Sequence, residues 1–216
     1  MTEEWSLIHL FNLGGAFMWP LLAFSVATIA LVIERIAYLL YHSLNVSRLR
    51  DEVSSLIREG KRSEALALLQ NAPRKLTCAS IFLALVSNAK HGEARMEKAA
   101  EAEARERIRR LENGFNYLTA LASLAPLTGF LGTVSGMIGA FKSIASATEV
   151  NAQLVANGIY EALITTVFGL CIAILALVAY NLLIQRVDTF AADIVKSVSD
   201  LTSDLLEHAD GEGRGE

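Results

Sequence analysis

Three stretches of this 216-residue chain contain no Asp, Glu, Lys or Arg: residues 5–33, 113–141 and 162–185. A helix needs about 20 apolar residues to cross the hydrocarbon core of a bilayer, and each stretch exceeds that. A fourth uncharged stretch, 76–89 (LTCASIFLALVSNA), is too short to span and reads as a buried or amphipathic helix outside the membrane. The first run differs from a signal peptide, which has a basic start and a short apolar core. Here the start is MTEEW, the run is longer, and the first basic residue, Arg35, follows it. A retained span is therefore predicted.

Lys and Arg in the flanking loops set the orientation of such a chain. Residues 43–115 hold 14 of the 19, and the connector 143–160 holds none. This bias places the N-terminus and the connector outside and the basic region and C-terminus inside. The expected fold class is an all-α integral membrane protein with three transmembrane helices, the long second and third helices extending into a cytoplasmic helical bundle. Its expected divisions are a short outer N-terminus (1–14), transmembrane helices at 15–42, 116–142 and 158–185, a cytoplasmic helical region (43–115), an outer connector (143–157), a cytoplasmic C-terminal helix (186–208) and a disordered tail (209–216).

Within the basic region, Asn45 or Ser47 is placed to cap a helix stopping at Gly60. A second helix over 61–70 ends at Asn71 and Pro73, and Gly92 breaks the chain after 76–91. Residues 93–112 (EARMEKAAEAEARERIRRLE) are strong helix formers. Ala104, Ile108, Leu111, Phe115 and Leu118 repeat at 4-3-4-3, which predicts a helix running unbroken into the second span. Val187, Phe190, Ile194, Val198, Leu201 and Leu205 continue the third span's seam in the same way. Such seams suit helix packing. Acids interleave with the basic residues, so nucleic acid is not an expected partner.

The second span, LASLAPLTGFLGTVSGMIGAFKSIAS, carries Ala122, Ala125, Gly129, Gly132, Gly136, Gly139, Ser143 and Ser146 on one side of its helix. Small residues let helix backbones approach closely in lipid. The stripe fits packing within one subunit or packing in an oligomer. Pro126 loosens the hydrogen bonding of this helix. In the third span, GIYEALITTVFGLC, Glu161 sits at the outer edge, with Thr165 one turn deeper and Thr166 beside it. An ionisable residue at a span is expensive and is a candidate functional group; a carboxylate at a helix N-terminus facing headgroup water is the plainer reading. At 1.5 Å per residue, Thr133 and Thr166 lie about 9 and 11 Å outward from the centres of their runs. Two hydroxyls at one level can line a polar path, because a hydroxyl both donates and accepts. Hydrogen bonding back to helix carbonyls is the alternative.

Other chemistries find no support. His9, His42, His91 and His208 lie outside the deep parts of the spans, and Cys78 and Cys171 are far apart, so neither a metal cluster nor a disulfide framework is expected. GTVSG (132–136) faintly resembles a serine hydrolase loop, but Ser135 has no membrane histidine to act as its base. No cofactor and no enzymatic activity are expected.

The segments LAPLTGFLGTVSGMIGAF (124–141) and NGIYEALITTVFGLCIAILALVAYN (157–181), with the first span closing on IER (33–35) and the three-span order, resemble the ExbB/TolQ/MotA proton-channel family, nearest to ExbB, the motor subunit of the TonB system. MotA-type stators usually carry four spans. The resemblance implies a homopentameric ring in the inner membrane of a Gram-negative-type bacterium, each subunit multi-pass with a periplasmic N-terminus. The ring would enclose the helices of an ExbD/TolR-like single-span partner whose essential Asp titrates, and proton flow would drive a TonB- or TolA-like protein. Thr133, Glu161 and Thr166 match the family's threonine and glutamate positions, Thr165 lies beside them, and Pro126 matches its proline. The implied function is energising TonB-dependent outer-membrane transport. The alternatives are a TolQ-like subunit for envelope integrity and division, a motility stator, and a non-conducting membrane scaffold. An intramembrane serine protease using Ser135 is a distant further reading.

Overall fold

The computed structural model describes residues 7–73, 75–146 and 152–212. They form α1 (Leu7–Leu13), α2 (Met18–Tyr41), α3 (Ser47–Arg58), α4 (Arg62–Gln70), α5 (Thr77–Asn88), α6 (Glu93–Glu112), α7 (Phe115–Ser146) and α8 (Ala152–Glu212), with a short 3-10 turn at Ala89–His91. Among the described residues the only β feature is an isolated bridge between Ser43 and Leu76. Three helical runs are long and apolar enough to cross a membrane, within Met18–Tyr41, Glu93–Ser146 and Val155–Glu207. The protein is an all-α membrane protein.

In the first charge-free run the chain turns at Gly14–Gly15, between α1 and α2, and Gly15 takes φ +67°, which a residue with a Cβ rarely adopts. Several other boundaries differ from expectation. The second run is not continuous. It breaks at Asn113–Gly114, where Gly114 has φ +91°. The apolar seam passes through this point and so conceals it, with Leu111, Phe115 and Leu118 all buried. α7 reaches Ser146 and α8 starts at Ala152, so the expected connector 143–157 is largely helical, and 147–151 lie outside the described residues. Elongating an existing helix adds a hydrogen bond with each residue fixed, without a new nucleation cost. For the same reason α8 continues to Glu212, into the segment expected to be disordered; 213–216 are outside the described residues. Neither Asn45 nor Ser47 caps α3: its N-cap is Val46, and the Ser47 hydroxyl donates to Asn45 Oδ1 at 3.0 Å.

The chain divides into two compact units. The first comprises the residues up to Arg35 together with Gly114–Leu182. Its core joins Met18 and Leu21 of α2 to Ala125 of α7 and to Ile164 and Ile172 of α8, with Phe24 and Phe168 packed beside them. Outward, α2 presents Trp19, Leu22, Val26, Ile29 and Ile33, all exposed and spaced by three and four. In a bilayer such a stripe meets lipid or another helix without penalty.

The second unit comprises Ile36–Asn113 and Leu183–Glu216. α5 packs on α4 and α6, and α4 packs on α3. The short uncharged stretch is the centre of this unit, with Cys78, Ile81, Phe82, Leu85 and Val86 fully buried. Burial pushes the Cys78 thiol up from 9.0 to about 11. The α8 seam enters the core through Val187, Phe190, Ile194, Leu201 and Leu205. Buried Asp204 accepts hydrogen bonds from Ser54 Oγ at 2.5 Å and Arg58 Nε at 2.9 Å, tying α8 to α3. On exposed α6, Arg105–Glu101, Arg107–Glu103 and Arg110–Glu106 form a ladder at i, i+4. Arg110 and then Arg109 hold the Glu106 carboxyl below its usual range.

Candidate ion-path site

The site begins with glycines. A Cβ on Gly129 would lie 2.7 Å from the Thr165 carbonyl oxygen, and one on Gly132 would lie 2.5 Å from Thr165 Oγ1. At Gly136 it would stand 3.1 Å from the Gly158 carbonyl oxygen. Gly129 and Gly136 therefore let α7 lie directly on the backbone of α8 within one chain, and Gly132 makes room for the Thr165 side chain. Gly139 differs: its Cβ would meet nothing within 4 Å, and the buried small residue at this level is Ala140. α8 has a matching stripe, Gly158, Ala162, Thr165 and Gly169, all half-buried or buried. A Cβ on Gly169 would come 2.6 Å from the Ala125 carbonyl oxygen, and one on Gly158 would come 2.6 Å from Ala140 Cβ. The 4-3-4 spacing of this second stripe is the signal that could have revealed it.

Close approach puts hydroxyls against the opposite backbone. Thr133 Oγ1 of α7 reaches the Ala162 carbonyl of α8 at 3.0 Å and the carbonyl of Gly129 in its own helix at 3.3 Å. It also hydrogen-bonds the Thr166 hydroxyl, and either oxygen can donate. Thr166 Oγ1 lies 3.4 Å from the Gly129 carbonyl. Thr165 Oγ1 is within reach of Ala162 O at 2.9 Å and Gly129 O at 3.2 Å. Three hydroxyls thus surround two carbonyls at one level. Other hydroxyls on α7 behave conventionally, with Thr119, Ser123, Thr128 and Ser143 each donating to the carbonyl four residues back. Burial separates the three. Thr165 is 1% exposed, whereas Thr133 and Thr166 are half-buried and so have an accessible edge. Pro126 lies inside α7, one turn before Gly129, half-buried. It has no N–H to offer the carbonyl of Ala122.

Glu161 does not join the threonine pair. Residues five apart on a helix are rotated by about 140°, so Glu161 and Thr166 leave opposite flanks of the α8 contact face. The half-buried Glu161 carboxylate instead packs against Gly15, in the turn between α1 and α2. It borders a groove of about 550 Å³ that also takes in Asn12 and Leu13 from α1, Ser135 and Ser143 from α7, and Asn157 and Tyr160 from α8. Ser135 sits mid-helix in α7 and is exposed, not on the sharp strand-to-helix turn of a hydrolase nucleophile. The glutamate groove and the threonine pair are thus separate polar features on the two sides of one glycine-mediated helix contact.

Comparison with known proteins agrees with this architecture. The profile of the MotA/TolQ/ExbB proton channel family matches residues 69–196, more than half of the chain. The chain is similar to the biopolymer transport protein ExbB-like 3 of Synechocystis sp., 34% identical over 170 residues, covering 78% of this chain and 80% of the relative. ExbB-like 1 of the same organism is 31% identical over 202 residues, covering 89% and 78%. The Tol-Pal system protein TolQ of Haemophilus influenzae is 40% identical over 104 residues, covering 48% and 46%. With this profile match and these relatives, the chain belongs to the MotA/TolQ/ExbB proton channel family.

Proposed function

We propose that this chain is a ring-forming, ExbB-like subunit of a motor driven by the proton-motive force in the bacterial inner membrane, energising TonB-dependent outer-membrane transport with an ExbD-like single-span partner. The observation that carries the reading is the Thr133–Thr166 pair, two hydroxyls joined across α7 and α8 with an accessible edge inside spans that carry no charge at this level. An isolated carboxylate in such a span is driven toward neutrality, and hydroxyls that donate to it favour its charged form. In a homopentameric ring the pair would form a polar belt where a partner's Asp loads and releases its proton. Each proton crossing 100 mV releases about 2.3 kcal/mol. Thr165, buried between the two helices, holds the belt in place.

The similarity to TolQ favours one second reading, a TolQ-like subunit acting on a TolA-like protein with a TolR-like partner. Both share the same belt.

The test is Thr166→Val, which keeps the shape and removes the hydroxyl. Losing one hydrogen bond to a charged group, roughly 1.5–3 kcal/mol, predicts a fall of about tenfold or more in proton flux or energy-dependent uptake. Complex assembly should be unchanged on native gels. Normal flux in an intact complex would exclude the belt and leave the non-conducting scaffold.

A further inference from the structure

We propose that the groove where the first span ends holds the headgroup of one zwitterionic phospholipid, a phosphate followed by a primary ammonium, drawn from the adjoining leaflet. The inference lies in the second unit and does not rest on the ion-motor reading. The groove has a volume of about 1050 Å³, at the upper end for a small-ligand site. Leu40 and Tyr41, at the end of α2, form its rim, and α3 and α4 form its walls. The chain leaving the span is tied to the chain before α5. Ser43 donates its backbone N–H to the Lys75 carbonyl at 2.8 Å and pairs with Leu76 as an isolated bridge. Lys75 is thereby held beside the residues that follow the span.

Depth puts the rim at the headgroups. α2 carries an exposed aromatic near each end, Trp19 and Tyr41. At 1.5 Å per residue they stand about 33 Å apart along the helix, against a hydrocarbon core of about 30 Å. Trp and Tyr favour the two membrane–water interfaces. Glu34 and Arg35, further in, form an ion pair with each other. Exposed Leu40 beside Tyr41 gives acyl chains an apolar edge at the mouth of the groove.

The lining carries both signs of charge, Arg48 and Lys75 against Glu52 and Glu64. A guanidinium and an ammonium suit a phosphate. A primary ammonium offers three N–H groups to carboxylates. Glu52 follows Arg48 by one turn of α3, about 6 Å along the axis, and Glu64 is in the first turn of α4. Cation then anion, counted along the chain from the span, is also the order of phosphate and ammonium counted from the acyl chains. Half-buried Leu56 and Leu68 give the carbons between them an apolar floor. A purely anionic headgroup would leave both carboxylates without a cation to meet, and a quaternary ammonium has no N–H to donate.

The test uses the full-length complex as extracted from its membrane, reconstituted in phosphatidylcholine vesicles. A small fraction of the lipid carries a photoreactive group beside the glycerol, as phosphatidylethanolamine or as phosphatidylglycerol. Labelled peptides are read by mass spectrometry. The ethanolamine lipid should label residues 40–76 about tenfold more than the glycerol lipid, the difference made by one hydrogen bond to a charged group. Unlabelled phosphatidylethanolamine should compete, and added phosphatidylcholine should not. Arg48→Ala with Lys75→Ala should abolish this labelling. Glu52→Gln with Glu64→Gln should keep it and turn the preference toward the glycerol lipid. All four side chains are exposed, so both variants should fold, with helix content by circular dichroism as the control. Equal labelling by the two lipids, labelling spread evenly over all lipid-facing helices, or wild-type labelling in both double variants would overturn the site. So would labelling of dissociated subunits alone, the outcome if a second copy covers the groove in the complex.

Discussion

At the scale of single residues, glycines on one helix face are not equivalent, and the difference is measurable. A methyl at Gly129 points at α8 backbone, 2.7 Å from the Thr165 carbonyl oxygen and 3.1 Å from Thr166 Cα, and backbone cannot rotate aside. Gly129→Ala should lower stability by about 1–3 kcal/mol, the usual cost of overpacking, and disturb the hydroxyl cluster with it. Gly139→Ala enters open space and exchanges the poorest common helix former for the best, so it should be neutral or stabilising by up to about 1 kcal/mol. Thermal unfolding of the two variants in the same detergent checks the contrast; equal effects would mean that the α7–α8 contact is looser than described. The sequence shows both glycines in one 3-4 stripe and cannot rank them, because the rank depends on what stands opposite.

At the scale of elements, the informative difference is between α8, which is unbroken through Glu212, and the second run, which stops at Asn113 and restarts at Phe115. The break is held by its own conformation. Gly114 takes φ +91°, and the Arg35 side chain lies 3.1 Å from where a Cβ would be. Gly114→Ala should cost roughly 1–2 kcal/mol, the penalty for a side chain in the left-handed region, and more if Arg35 cannot move. A drop in melting temperature is the readout, and an unchanged value would show that the helix straightens at no cost. The break is not legible in the sequence for a definite reason: apolar spacing carries no information about backbone φ, and the 4-3-4-3 seam continues across it. The separation of Glu161 from Thr166, by contrast, was legible, since 100° per residue fixes it without any structure.

At the scale of the whole molecule, the charge-free runs specified a three-span all-α membrane protein, and the bias in Lys and Arg specified an orientation that remains a prediction. Glu97, exposed on α6, should accept a thiol reagent as Glu97→Cys only after the membrane is permeabilised from the cytoplasmic side. Labelling of intact spheroplasts would invert the topology. What sequence could not supply was the meeting of hydroxyls with carbonyls, because side-chain reach across a contact depends on an interhelical separation that no local pattern encodes.

The α7–α8 contact has one mechanical consequence. Ordinary helix pairs slide on a cushion of side chains that can exchange rotamers. Here glycine faces peptide, and threonine hydroxyls stitch one backbone to the other, leaving little to rearrange. Such a pair behaves as a single stave. In the ring proposed above, shear would concentrate at the joints between such staves, and work done on or by the proposed partner would be transmitted through each pair undamped.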